Sequence, residues 1–278
     1  MLCDTDVIIF KMKNKFKLSI LTNNDIPWDL PLWYETIKNL KNDFDLSGGI
    51  FVFPDRIKPI GDGIKVPLWY LKIYGIKNFF LLSIFAIVRY SKFVIKTGVY
   101  NFESLGRHFD IPVYFFEDPN SKVVIEKIKK DKVDIGLILL THILKKEILD
   151  IEGIDFINMH GGRLPQCGGV MPYLYSRIYD IRPTLTFYKV DKNINSGLII
   201  KELKYKDEDA SMVKYYKDVF KKYPKVISKV IEKLLREKDS LKEIKQSRLF
   251  SYPDKEKFQK YTEKDFKIIE FSDIYRSK

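Results

Sequence analysis

Residues 133–140 read VDIGLILL and residues 156–165 read FINMHGGRLP, and these two stretches decide the fold. The first is a continuous apolar run of strand length, the pattern of a strand buried on both faces of a parallel sheet. The second begins as a strand, Phe156 to His160, and then meets Gly161, Gly162 and Pro165, which end it. Outward from this pair, Lys17–Thr22 (KLSILT), Gly49–Phe53 (GIFVF) and Ile111–Phe116 (IPVYFF) read as earlier strands. Thr184–Val190 (TLTFYKV) and Leu198–Leu203 read as later ones. Helical segments alternate with them: one past Pro27 and Pro31 that ends near Asn42, apolar helices over 66–108, and one capped by Asn120 or Ser121 that runs to about Lys130. Such alternation predicts an α/β fold with a doubly wound, mostly parallel, Rossmann-like sheet.

Beyond the last strand, Met212, Tyr216, Val219, Tyr223, Ile227, Val230 and Leu234 recur at helical spacing. They predict a long amphipathic helix bent near Pro224. A turn at Pro253 and a helix capped by Asp254 follow. The expected organisation is a disordered basic start over 1–16, an α/β domain over 17–206 and a helical C-terminal extension over 207–278.

A chain of 278 residues that is 45% apolar can bury a substantial core, which argues against intrinsic disorder of the chain as a whole. Its net charge of +12 favours anionic partners such as nucleotides, nucleic acid or membrane headgroups. A lysine-rich solvated surface gives the same excess. Cys3 and Cys167 cannot build a disulfide framework or a zinc site, so a reducing cytoplasm fits. The N-terminus lacks the pattern of a secretory signal. Phe79–Val88 (FFLLSIFAIV) is about half of a membrane span and sits in a stretch interrupted by Lys72, Lys77, Arg89 and Lys92. It reads as a buried helix with basic ends, the alternative being a helix on a membrane surface; no transmembrane segment is expected.

The chemistry gathers around Asn158 and His160. Two apart at a strand end, they face one way. The carboxyl ends of strands in an open α/β sheet are where ligands bind. An amide donor beside an imidazole suits a reaction in which negative charge develops on a carbonyl oxygen. Gly161, Gly162, Gly168 and Gly169 let backbone approach a ligand closely, which makes Gly161 and Gly162 substrate-binding candidates. Asn23 and Asn24 follow the first strand and could reach a ligand at the sheet edge; ordinary turn asparagines look the same. Trp28, Trp33, Trp69 and Tyr70 could stack on a base, with core packing the stronger default. His108 reads as structural. No glycine-rich dinucleotide loop, P-loop or metal-ligand cluster is present, so no metal is expected.

Asn158 through Gly169 resembles the N-x-H-x-x-x-L-P-x-x-x-G element of the formyltransferases that use 10-formyltetrahydrofolate. TLTFYKVDKNINSGLIIKE (184–202) resembles their following strand and loop, and VDIGLILLTHILKKEIL (133–149) the strand and turn that border the folate pterin. The resemblance covers about 111–206, with weaker similarity over 17–55. It implies transfer of a formyl group from 10-formyltetrahydrofolate to a primary amine. Asn158 would then hold the formyl oxygen, and His160 would stabilise the oxyanion and help move a proton. Thr141, His142 and Leu144 would border the pterin together with Asp191.

Two departures stand out. The family's catalytic aspartate matches Asn195, which can orient an imidazole but cannot take a proton or supply charge. Asp191, four residues earlier, is the nearby carboxylate that could substitute, and a solvated loop carboxylate is the plain alternative. Cys167-Gly168 stands where the family often has an aromatic and an arginine, and Cys167 reads as a packing residue.

The acceptor implied first is the amino group of a nucleotide-linked amino sugar, a small anionic substrate that the basic surface would attract. Methionyl-tRNA formylation also fits the charge, but residues 207–278 do not resemble the C-terminal β-barrel of that subgroup, so nucleic acid is not favoured. Hydrolysis of the formylated folate would call for a regulatory domain ahead of the first strand. A catalytically impaired or non-catalytic homologue is the alternative that Asn195 favours; the retained Asn158 and His160 count against it and favour an enzyme. A compact helical C-terminal part leaves room for an open cleft or a homodimer contact.

Overall fold

The computed structural model describes residues 16–55, 64–191, 197–244 and 247–275. In chain order the elements are β1 (Leu18–Asn23), α1 (Asp29–Leu40), β2 (Ile50–Phe53), α2 (Lys65–Thr97), α3 (Phe102–Phe109), β3 (Val113–Phe115) and α4 (Lys122–Lys130). Next come β4 (Ile135–Leu139), α5 (Lys146–Leu149), β5 (Asp155–His160), β6 (Gly168–Gly169), α6 (Pro172–Ile178), β7 (Thr184–Val190) and β8 (Gly197–Lys204). The chain ends with α7 (Met212–Glu237), β9 (Lys242–Ile244), β10 (Leu249–Phe250), α8 (Lys255–Glu263) and α9 (Phe271–Tyr275).

An eight-stranded sheet has the order β3-β2-β1-β4-β5-β7-β8-β9. It is parallel from β3 to β5 and antiparallel from β5 to β9. The chain winds outward from β1 to β3, then returns to lay β4 on the other side of β1. That reversal makes a crevice at the carboxyl ends of β1 and β4, the place where such sheets hold ligands.

Strand alternation explains the layering. Ile20, Ile50, Val52, Ile135, Leu137, Ile157 and Met159 join one core with Trp33, Tyr173, Tyr215 and Tyr223. Leu21, Phe51, Phe53, Ile138 and Phe156 point the other way and join Val124, Ile128 and Ile148 in a second core. Both faces are thus covered, which is why these strands read as continuous apolar runs. Each fully buried phenylalanine there contributes about 1.5–3 kcal/mol. Asn158 and His160 share the parity of Phe156, so both lie on the side of the second core.

The apolar stretch departs from expectation. α2 is a single 33-residue element kinked at Gly75 (φ 75°), and of its side chains only Ile73, Tyr74 and Phe85 are buried. The sheet is already covered, so α2 lies outside it and packs along one face. Phe85 packs against Trp28 at 5.3 Å, and Arg89 Nε donates to the carbonyl of Pro27 at 2.8 Å. The C-terminal part is helical as expected and adds two short strands: β9 extends the main sheet, and β10 pairs with β6 in the loop after β5. α7 shares the first core with the strands, with Pro224 inside it.

Candidate functional site

A cavity of about 750 Å³ opens at the carboxyl ends of β4 and β5, beside the antiparallel β7. Asn158, Met159 and His160 line it from β5, residues 138–145 from β4 and the turn after it, and Tyr188, Val190 and Asp191 from the end of β7. Its volume suits a ligand of cofactor size.

Asn158 lies opposite Tyr188 in the antiparallel register, and its Nδ2 donates to Tyr188 Oη at 3.1 Å. Tyr188 is buried, which pushes its phenol up to about 12 and keeps it neutral. The amide plane is therefore set by a rigid partner. His160 is 8% exposed, and its Nε2 lies 2.7 Å from the carbonyl oxygen of Cys167. A carbonyl only accepts, so Nε2 carries the hydrogen and Nδ1 the lone pair. Burial lowers the imidazole pKa, with the Cys167 carbonyl acting weakly the other way. Neither cause is a carboxylate.

The loop after β5 is built around that imidazole. Gly162 is required by close approach: a Cβ there would stand 2.5 Å from Cys167 O and 3.0 Å from His160 Nε2. Thr186 Oγ1 donates to Gly162 O, and Tyr215 Oη to Gly161 O. Gly161 and Gly162 thus support the loop and are not among the residues that line the cavity. Cys167 is buried with its thiol pushed up to about 12, and Sγ donates to Pro172 O. It packs, as expected of a small side chain, because burial outweighs the nearby Arg248 charge that acts to lower the thiol.

The turn after β4 is pinned from two sides. Asn23 Oδ1 accepts from both the backbone N–H and the hydroxyl of Thr141, each at 3.1 Å. Asn120 receives the Lys145 N–H at Oδ1 (2.6 Å) and donates Nδ2 to Ile143 O (3.0 Å). Asp118 fixes Asn120 in turn, and the Asn120 backbone N–H holds its carboxyl below the usual range. Thr141, His142 and Leu144 all line the cavity. Leu144 is anchored in the second core, and the His142 ring stands 6.0 Å from that of Phe53. Asn23 acts on the cavity through Thr141. Asn24 is exposed, its N–H bonded to Phe53 O, and neither asparagine lines the cavity.

Asp191 lines the rim at the exit of β7, whereas Asn195, within 192–196, lies outside the described residues. His108 packs edge-on against Phe109 at 4.7 Å in a different part of the molecule. Trp33 is wholly buried, and Trp28 lies under Arg89 at 4.8 Å. Among the described residues no His, Cys, Asp and Glu cluster could hold a metal.

Sequence reasoning missed the third wall. Leu249, Phe250 and Tyr252 close the cavity from the C-terminal segment. Gly169, at φ +89°, lets β10 in: a Cβ there would fall 2.1 Å from Phe250 O. Phe250 stacks on Tyr175 at 4.2 Å, and Arg248 lies over Tyr179 at 4.1 Å. Tyr188 was readable as an alternating strand residue, but its pairing with Asn158 was not.

The chain is 29% identical over 140 residues to a methionyl-tRNA formyltransferase from Wolbachia pipientis subsp. Culex pipiens (strain wPip). The match takes in 50% of this chain and 46% of that protein, so the chain spans about half the length of that curated relative. A sugar N-formyltransferase from Shewanella sp FDAARGOS_354 superposes with TM-score 0.50 at 11% identity, over 84% of this chain and 76% of that one. A phosphoribosylglycinamide formyltransferase from Campylobacter jejuni subsp. jejuni NCTC 11168 gives 0.50 at 11% identity, over 79% and 97%. A sugar 3N-formyltransferase solved with dTDP and 5-N-formyl-THF gives 0.50 at 15% identity, over 85% and 70%. No family model matches the chain. The architecture is the one these proteins share, and the chain has the formyltransferase fold.

Proposed function

We propose that the protein transfers a formyl group from 10-formyltetrahydrofolate to a primary amine, the amino group of a nucleotide-linked amino sugar. The observation that carries this reading is the pairing of Asn158 and His160 in one cavity with the pinned turn 141–145. Ile138, Leu140, Leu144 and Val190 offer apolar walls to a flat pterin, and the turn offers backbone polar groups for its edge.

In this mechanism one N–H of the Asn158 amide is fixed by Tyr188, and the other serves the formyl oxygen. The attacking amine becomes cationic as the tetrahedral intermediate forms. His160, neutral and with its lone pair on Nδ1, takes that proton and as imidazolium balances the oxyanion; when the carbonyl re-forms and the bond to the folate nitrogen breaks, the imidazolium returns the proton to that departing nitrogen. Asp191 or Asn195 would orient the acceptor or the imidazole.

The relative solved with dTDP and 5-N-formyl-THF supports a nucleotide sugar as acceptor. The 29% identity to a methionyl-tRNA formyltransferase favours a second acceptor, initiator tRNA. Against it, the described residues past 207 form α7, α8, α9 and two short strands rather than a barrel.

Calorimetry with 5-formyltetrahydrofolate, a stable stand-in for the donor, tests the reading. Binding that weakens at least tenfold in Asn120→Ala, which releases the turn, is expected. No binding at millimolar folate would overturn it.

A further inference from the structure

α2 carries a face that nothing in the described residues covers. After the kink, Ile76, Phe80, Ile84, Ile87 and Ile95 are 68, 60, 44, 64 and 85% exposed. Their spacings of four, four, three and eight residues place them in one stripe along the helix. A contiguous apolar stripe of this size on a soluble domain marks an interaction surface.

The charge around it selects the occupant. Residues 65–97 contain Lys65, Lys72, Lys77, Arg89, Lys92 and Lys96 and no Asp or Glu. A second copy docked through this stripe would bring two like-charged rims together with no acid on either helix to pair them. An anionic bilayer does the opposite: acyl chains take the isoleucines and Phe80 while headgroups take the lysines.

We infer that the α2 stripe seats the protein on an anionic membrane surface. Length and composition alone would let this helix cross a bilayer. Its packing argues for lying in the interface instead: Ile73, Tyr74 and Phe85 are buried, and Arg89 is bonded to the Pro27 carbonyl. The helix also reaches the proposed site, since Trp69 packs edge-on against the cavity-lining Tyr252 at 5.6 Å.

The test is co-sedimentation of the full chain with vesicles of phosphatidylcholine containing phosphatidylglycerol, against phosphatidylcholine alone, at low and high salt. Binding is expected to the anionic vesicles only, weakened by salt. The double variant Phe80→Ser/Ile87→Ser should lower partitioning about tenfold or more, because it removes the inserting side chains. Lys77→Gln/Lys96→Gln should weaken it while flattening the salt dependence. Circular dichroism and 5-formyltetrahydrofolate affinity should be unchanged in both, which separates this inference from the formyl-transfer reading. Absence of vesicle binding, equal binding by the Phe80→Ser/Ile87→Ser chain, or a concentration-dependent dimer that this variant abolishes would overturn it.

Discussion

His160 holds its proton economy in a way that bears on the residue matched to the family aspartate. Its imidazole is buried against the Cys167 carbonyl, and burial keeps it neutral at pH 7. A carboxylate beside it would raise that pKa and favour imidazolium. Asn195, placed by motif, has no charge to do so, and Asp191 sits at the cavity rim. A weakened site is therefore expected, in which Asn195→Asp raises turnover and Asp191→Asn is nearly silent. The acid limb of the rate profile should also move to higher pH in Asn195→Asp, because a neutral imidazole is the active base. In the same assay His160→Ala should cost on the order of a hundredfold or more, with His108→Ala and His142→Ala keeping most of the rate. An unchanged or lower rate in Asn195→Asp, with folate affinity intact, would reject this account.

At the level of elements, the dependence of the cavity on β10 is open to a clean comparison. Gly169 and Gly153 both have positive φ, +89° and +81°, but only Gly169 has a neighbour a Cβ would strike. Gly153→Ala should cost about 1–2 kcal/mol of backbone strain and leave ligand affinity alone. Gly169→Ala must also push β10 off β6, withdrawing Leu249, Phe250 and Tyr252 from the cavity. Folate affinity by calorimetry should fall at least tenfold in that variant alone. Equal affinities in the two would mean that β10 is no part of the site. The same elements mark how far the sequence could be read. The strands were legible because burial on both faces leaves unbroken apolar runs such as GIFVF, and the site because Asn158 and His160 sit two apart on one of them. β10 was not, since LF between polar residues has no periodicity and its partner Gly168–Gly169 is 81 residues away. The α2 stripe misled in the opposite sense. An apolar helix reads as buried whether or not the fold has a face left to receive it.

The molecule as a whole should carry a pH-dependent stability with its origin where β1, α1 and α2 meet. Asp29 is buried there and Asp25 half-buried, with Arg89 nearby, and Asp29 shares a hydrogen bond with Thr22. Burial raises both carboxyls, Asp25 to about 6 and Asp29 well above its usual value. Between the ordinary aspartate value of 3.8 and about 6, the folded chain therefore holds the Asp25 proton that the unfolded chain releases. Stability from this group is greatest below that window and declines as pH rises through it. A rise from 3.8 to about 6 sets the full loss at roughly 3 kcal/mol, reached by about pH 7. Asp25→Asn removes the titration and keeps an oxygen to accept the Trp28 N–H that caps the turn into α1. Chemical denaturation should then find the variant and the wild type nearly equal near about pH 4, with the variant gaining stability steadily toward about pH 7. Arg89 works against this, since the variant leaves it one fewer anion, yet burial outweighs that attraction at Asp25. A variant less stable than wild type at neutral pH would show that the ion pair with Arg89 dominates, and the burial argument would fail.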